Sequence, residues 1–336
     1  MFCVRQVLQE GRHYQFRVLP FGLSLSLRVF TMYVAAAPSP LGLRILPCLD
    51  DWLICAPTRK QSLRDTCDQF LPEKYHVVCL DLPGHDGTSR LQDEDYSING
   101  QVSRIHQFVH RLGLQSFHLM GTSMGGNLAG VYAARFPKDL ISVTLVCPAG
   151  LESPEDTEFV KRLKVLEVQK NQNQDQRPKQ DQDEDQDQRP KQEQSEESIA
   201  LIPSSVPQLQ EMLNLCCYKP LQLPQQMMKG LLQNRLPHNN FYKHLFECIS
   251  SQDSRHSLQQ NLQNITVPVQ VVWGEQDQVL HVSGASLIPA ALPHTQVVLL
   301  QDCGHSLALE RPRKLAMLVH NFLSAQEGKD SSKKNL

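Results

Sequence analysis

The chain contains no C-x-x-C pair, no His-Gly dipeptide in its first 75 residues, no strong excess of either charge and no apolar run long enough to cross a bilayer. Each absence excludes something. The 10 cysteines are scattered, with one adjacent pair at Cys216-Cys217; that spacing suits neither a zinc site nor the disulfide framework of a small secreted domain. They read as reduced, mostly buried thiols in a cytosol-facing protein. With 33 Lys and Arg against 35 Asp and Glu the net charge is -2, and nothing in that balance points to nucleic acid or to an anionic membrane as a whole-protein partner. The best apolar window, between Arg28 and Arg44, is too short to span and is broken by Pro38 and Pro40. No signal-peptide pattern opens the chain. The sequon Asn264-Ile265-Thr266 would matter only in the secretory lumen.

What is present is length and a pattern. The 336 residues suffice for one large domain or two modest ones, each with a core. Residues 1 to about 65 have Pro, Arg and aromatic residues without sustained periodicity. From Tyr75 apolar strands alternate with helices: YHVVCLDL, a helix over Asn99 to Leu112, FHLMGT and its following helix, LISVTLVCP, then, after a long interruption, VPVQVVWGEQD and TQVVLLQDCGH. Alternation of that kind predicts an α/β fold with a mostly parallel sheet covered by helices. The interruption, 151 to 262, reads as a helical lid insertion. It contains a Gln/Asp-rich tract at 169 to 197, with DQRPKQ repeated at 175 to 180 and 187 to 192, which is expected to be disordered. Met and Leu clusters such as Met212-Leu213-Leu215 and Met227-Met228-Leu231-Leu232 suit an acyl-chain pocket, or simply pack the lid.

The chemistry centres on Gly121-Thr122-Ser123-Met124-Gly125-Gly126. An apolar strand before Ser123 and an Ala- and Leu-rich helix after it make a nucleophile elbow, a turn so sharp that Gly121 and Gly125 have no room for side chains. An acyl-transfer serine needs a base and an acid to orient it, in the order Ser, Asp or Glu, His. Asp277 lies just past one late strand and His305 in the loop after the next; Asp302 is a rival acid, but it would have to fold back on His305. His85, His118 and His238 read as structural or exposed. The backbone N–H of Met124 supplies one oxyanion donor. No metal or other cofactor is expected.

These residues carry a family resemblance. DLPGHDGTSR, HLMGTSMGGNLAGVYAARFP, LVCPAGL, PHNNFYKHLF, VVWGEQDQVL and CGHSLALERPRK resemble the monoacylglycerol lipases of the α/β-hydrolase domain-containing protein 6 type, over about residues 70 to 329. The resemblance implies an α/β-hydrolase core at 66–150 and 263–329, with Ser123 as nucleophile, Asp277 as acid and His305 as base. It implies monoacylglycerol or lysolipid substrates cleaved without a cofactor, a membrane surface as partner and no nucleic acid. The location it implies is the cytosolic face of endosomal or lysosomal membranes; without the family's N-terminal anchor, the chain is expected to be cytosolic or peripheral.

Two departures stand beside it. YQFRVLPFGLSLSLRVF and RILPCLDDWLICAP resemble the palm of a retroelement reverse transcriptase, with Asp50-Asp51 on its paired-aspartate motif, so residues 1–65 read as a fused fragment. Polymerase chemistry would need a third carboxylate from an earlier strand, and a nucleic-acid-binding remnant is the corresponding alternative function. The His-Gly-aromatic loop that provides the second oxyanion donor in similar lipases is missing, as is the strand before it. That leaves a gap between VVCLDL and FHLMGT, with two unpaired edges inside the sheet. Trp52 to Ala56 (WLICA) is the segment expected to fill it if any does. A catalytically impaired or non-catalytic hydrolase fold is therefore the other alternative.

Overall fold

A computed structural model describes residues 32–36, 76–85, 88–175 and 199–333. Asp50, Asp51 and Trp52 to Ala56, on which the reverse-transcriptase resemblance and the expected gap filler rest, lie outside them. Six strands form one sheet: β1 Met32–Ala36, β2 His76–Leu80, β3 Phe117–Thr122, β4 Leu140–Val146, β5 Val269–Gly274 and β6 Gln296–Leu300, in the order β2-β1-β3-β4-β5-β6. From β3 to β6 neighbours are parallel. β4 and β5 are near-continuous apolar runs, as strands covered on both faces require.

The gap is closed, and not by the expected segment. β1 pairs with β2 from Met32 opposite Leu80 to Ala36 opposite His76, and with β3 from Met32 opposite Gly121 to Ala36 opposite Phe117. Both pairings are antiparallel, so the unpaired edges foreseen inside the sheet do not occur. An interior strand must offer an N–H at every position, and the proline-free run MYVAA does so over five residues before Pro38.

Helices cover the sheet for legible reasons. Ile98–Arg111 starts at Ser97, whose hydroxyl accepts the Gly100 N–H at 3.1 Å, and buries Ile98, Val102, Ile105 and Val109 along one stripe. Met124–Arg135 is buried on nearly every side; its Ala, Gly and Leu positions let it sit tight between sheet and neighbouring helices. The segment between β4 and β5 is helical: Glu158–Asp175, Val206–Cys216, Gln225–Arg235, Asn239–Ser250 and Ser257–Asn261. It has a core of its own, in which Phe159, Leu209, Met212, Leu213, Met228 and Leu231 pack together with Val279 of the main body. Met212, Leu213, Met228, Leu231 and Leu232 thus hold the insertion together, the plainer of their two readings.

The first of these helices enters the Gln/Asp-rich tract that begins at 169. It runs on through Asp175, seven residues past Val168, because Gln, Lys and Asn tolerate a helix and no proline interrupts before Pro178. Among the described residues no helix is long and apolar enough to cross a membrane.

Candidate active site

Because β3, β5 and β6 are parallel, the loops that leave them emerge at one edge of the sheet. Ser123 follows β3 in a left-handed backbone conformation, φ 55° and ψ -120°, which a non-glycine residue adopts only under constraint from its surroundings. The constraint is visible. The Ser123 N–H donates to the Val146 carbonyl at 2.9 Å, and its carbonyl accepts from Asn127 at 3.1 Å and from Ala149 at 2.9 Å. A Cβ on Gly121 would lie 2.0 Å from the Gly125 carbonyl oxygen, and one on Gly126 would lie 2.9 Å from Pro148. Gly126 was not foreseen as a packing requirement; its adjacency to the elbow was the available signal.

Asp277 and His305 come together. His305 Nδ1 lies 2.7 Å from Asp277 Oδ2, with Asp277 5% and His305 1% exposed. The carboxylate is cradled from all sides: Oδ1 accepts from the Val279 N–H at 2.8 Å and the Leu280 N–H at 2.9 Å, and Oδ2 also accepts from Trp273 Nε1 at 3.1 Å. Those donors fix the carboxylate's orientation, so that Oδ2 faces the imidazole at Nδ1 and Nε2 is turned away from it. Nε2 is buried and has no hydrogen-bond partner among the described residues. Ser123, 3% exposed, stands on the same edge. Asp302, the rival acid, sits at φ 53° with its carbonyl taken by Arg311 Nη2 at 2.7 Å.

Several contributors escaped the sequence reading. Trp273 and the two backbone donors orient Asp277; the WGEQDQVL string contained them, but only the turn brings them onto one carboxylate. Cys147 follows β4 at φ 39°, and its sulfur, an Asp277 oxygen and a His305 nitrogen lie within 4.8 Å of one another. Burial, and then the Asp277 charge, push the Cys147 thiol well above its ordinary range. Asp277 is thus flanked by a neutral thiol rather than a second anion. Gln276 joins the Asp277 loop to the His305 loop: its N–H donates to the Cys303 carbonyl at 3.0 Å, and its Oε1 accepts the Cys303 N–H at 3.0 Å. His118 bonds Ser142 across β3 and β4 at 2.7 Å, inside the sheet, and His85 Nδ1 lies 3.2 Å from the Pro83 carbonyl oxygen.

A cavity of about 270 Å³ lies among the insertion helices, lined by Phe159, Leu163, Leu166 and Leu215 and by the polar Arg162 and Glu211, with Gln278 of the main body at its rim. On the opposite side, β1 presents its first residue, Met32, beside Gly121. The chain therefore leaves β1, after Ala36, at the edge remote from Ser123.

A mostly parallel sheet covered by helices, with a helical insertion after the fourth strand, is the setting in which the sequence comparisons are read. The α/β-hydrolase fold model matches residues 62–312. The chain belongs to that family. It is 47% identical over 268 residues to Monoacylglycerol lipase ABHD6 of Homo sapiens, covering 79% of this chain and 72% of that protein. Against Monoacylglycerol lipase abhd6-A of Xenopus laevis the identity is 47% over 269 residues, 80% of this chain and 73% of the relative. Among solved structures, a membrane phospholipase A described as a bacterial virulence factor superposes with a TM-score of 0.65 at 24% identity, over 80% of this chain and 76% of that one. At that identity the likeness speaks for the fold alone.

Proposed function

We propose that the chain cleaves the ester bond of monoacylglycerols and related lysolipids, with Ser123 as nucleophile, His305 as general base and Asp277 as the acid that orients it. Carboxylic ester hydrolysis as such follows from kinship with the monoacylglycerol lipases; the residues and the substrate class are our reading. One observation carries it: a 2.7 Å Asp277–His305 contact sealed from water, on the edge where a left-handed serine closes an elbow.

In this mechanism Ser123 Oγ attacks the ester carbonyl carbon as its proton passes to His305 Nε2. The oxyanion that forms accepts the Met124 N–H. Collapse of the tetrahedral intermediate breaks the bond to the glycerol oxygen, which takes the proton from His305. Water, deprotonated by the same nitrogen, then frees the fatty acid from the serine. The helical insertion then acts as a lid, and the substrate would be drawn from a membrane surface by a peripherally bound enzyme.

The orientation of β1 favours a second reading of lower activity. A parallel strand at this place would send its following loop, with a second oxyanion donor, to the Ser123 edge; an antiparallel one sends it to the opposite edge.

A fluorophosphonate probe and a monoacylglycerol assay test the proposal together. Ser123 is expected to be the labelled residue, and Ser123→Ala to abolish both labelling and turnover. Turnover by Ser123→Ala at the parental rate would dismiss Ser123 as the nucleophile, whereas labelling without turnover would select the impaired reading.

A further inference from the structure

The Glu310 carboxylate lies between two segments that the catalytic reading treats separately. Its Oε1 accepts the backbone N–H of Tyr218 at 2.8 Å and of Lys219 at 3.3 Å, in the turn that follows the insertion helix Val206–Cys216. Its Oε2 accepts the N–H of Gly304, the residue before His305, at 2.6 Å. The two segments also bond directly: the Ser306 N–H donates to the Cys216 carbonyl at 2.8 Å. They approach so closely that a Cβ on Gly304 would lie 2.7 Å from the Tyr218 nitrogen. Residues on both sides of His305 are thus seated on the end of the first long insertion helix beyond the Gln/Asp-rich tract.

An ionised carboxylate receiving three N–H donors holds its partners more firmly than neutral bonds would. The same negative charge acts on its neighbours: after burial, it is the largest contributor raising the thiols of Cys217 and Cys303, each pushed up to about 12. Besides the Ser306 ties to Cys216 and Cys217, the base loop is fastened by Gln276 at Cys303 and by Arg311 at the Asp302 carbonyl. Of Gln276, Arg311 and Glu310, only Glu310 reaches the insertion, and it does so through three N–H donors on the two segments.

We propose that Glu310 is a positioning residue which sets the general base and the seat of the lid together. One oxygen fixes the peptide ahead of His305, and the other fixes the turn where the lid helix ends. The proposal rests on the triad reading given above. It makes lid position and base alignment parts of one device, so that a lid displaced from this turn would also loosen the imidazole.

Two substitutions separate the two oxygens. In Glu310→Gln the amide oxygen is expected to stay with the two donors at Tyr218 and Lys219, turning the amide NH2 toward the Gly304 N–H; the lid tie survives and the base tie is lost. In Glu310→Ala both are lost. With kcat and KM measured on a monoacylglycerol and on a short water-soluble ester, and folding checked by circular dichroism, Gln is expected to lower kcat on both substrates about 10-fold or more with KM little changed. Ala is expected to lower kcat similarly and, in addition, to raise KM for the monoacylglycerol. Parental kcat in Glu310→Gln, or the same kcat and KM for Gln and Ala, would overturn the proposal. So would failure of both variants to fold, which would make Glu310 a folding residue. The Ser123→Ala control distinguishes the layers: if it retains turnover the triad reading itself has failed, and if it is inactive while the Glu310 variants behave otherwise than expected, only the positioning role has.

Discussion

On the side of the sheet that carries β4, β5 and β6, each parallel strand delivers its following loop to the Ser123 edge, and Asp277 and His305 meet there under four donors to one carboxylate. On the other side β1 fills its place in the hydrogen-bond ladder but runs the opposite way. The first side has strands that run toward the Ser123 edge; the second has a strand that runs away from it. Pairing satisfies the backbone of β2 and β3, which is a demand of stability. Direction decides which edge the next loop reaches, which is a demand of catalysis. A segment can meet the first demand and fail the second.

The completed side is where the largest effect is expected. In Asp277→Asn the amide oxygen stays with the Val279 and Leu280 N–H groups, so the amide NH2 faces His305 Nδ1 and makes that nitrogen an acceptor. The imidazole proton then sits on Nε2, which can no longer take the serine proton, and kcat is expected to fall ~10⁴-fold with the fold intact. A fall of less than tenfold in steady-state kinetics would remove Asp277 from the acid's role and break the comparison at its stronger end.

The incomplete side is expected to respond in the opposite direction. Replacing residues 1–69 with a lipase N-terminal segment that carries the His-Gly-aromatic loop behind a parallel strand should raise kcat/KM on a monoacylglycerol by ~10²- to 10³-fold, the usual worth of one oxyanion donor. Equal values for parent and chimera, both folded by circular dichroism, would mean that a second donor already exists near Ser123.

Whether β1 belongs to the sheet is a smaller and separate matter. Val34→Pro removes an N–H from the middle of a strand paired on both sides, and should cost about 1–3 kcal/mol in denaturant unfolding. An unchanged midpoint would detach Met32–Ala36 from the sheet and restore the gap.

The same division governs what could be read from the sequence. Gly121, Ser123 and Gly125 announce an elbow because strand, turn and helix are adjacent in the chain. Asp277 and His305 were legible as strand-end residues because periodicity locates strand ends, and parallel order sends them to one edge. Trp273, Cys147, Gln276 and Glu310 were not, because each acts through a contact made only when separate loops fold against one another. β1 was missed for another reason: MYVAA and WLICA are both short apolar runs, and periodicity over five residues does not choose between them. The helix that continues through Asp175 shows the limit of composition, since a segment without apolar residues can still extend a helix begun by Phe159 and Leu163, which pack with the insertion core.

The smallest expected effect concerns the thiols around the Asp277 and His305 loops. Burial and, next, the Glu310 carboxylate push Cys217 and Cys303 from 9.0 to about 12, so the folded chain keeps both thiols protonated where the unfolded chain would release them. Between those values the unfolded state binds fewer protons than the folded one, and stability must fall as pH rises. The contribution is fully present below pH 9 and is lost progressively toward pH 12. The thermal midpoint of the parent should therefore decline over that interval, and Cys217→Ser with Cys303→Ser should flatten the decline, because a serine hydroxyl does not ionise there. Lysine and tyrosine titration adds a slope common to both proteins, so the measured quantity is the difference between the two curves. Coincident curves would mean that the thiols reach water readily, and that the loop carrying His305 is not closed over by the insertion as tightly as the hydrogen bonds of Glu310 and Ser306 require.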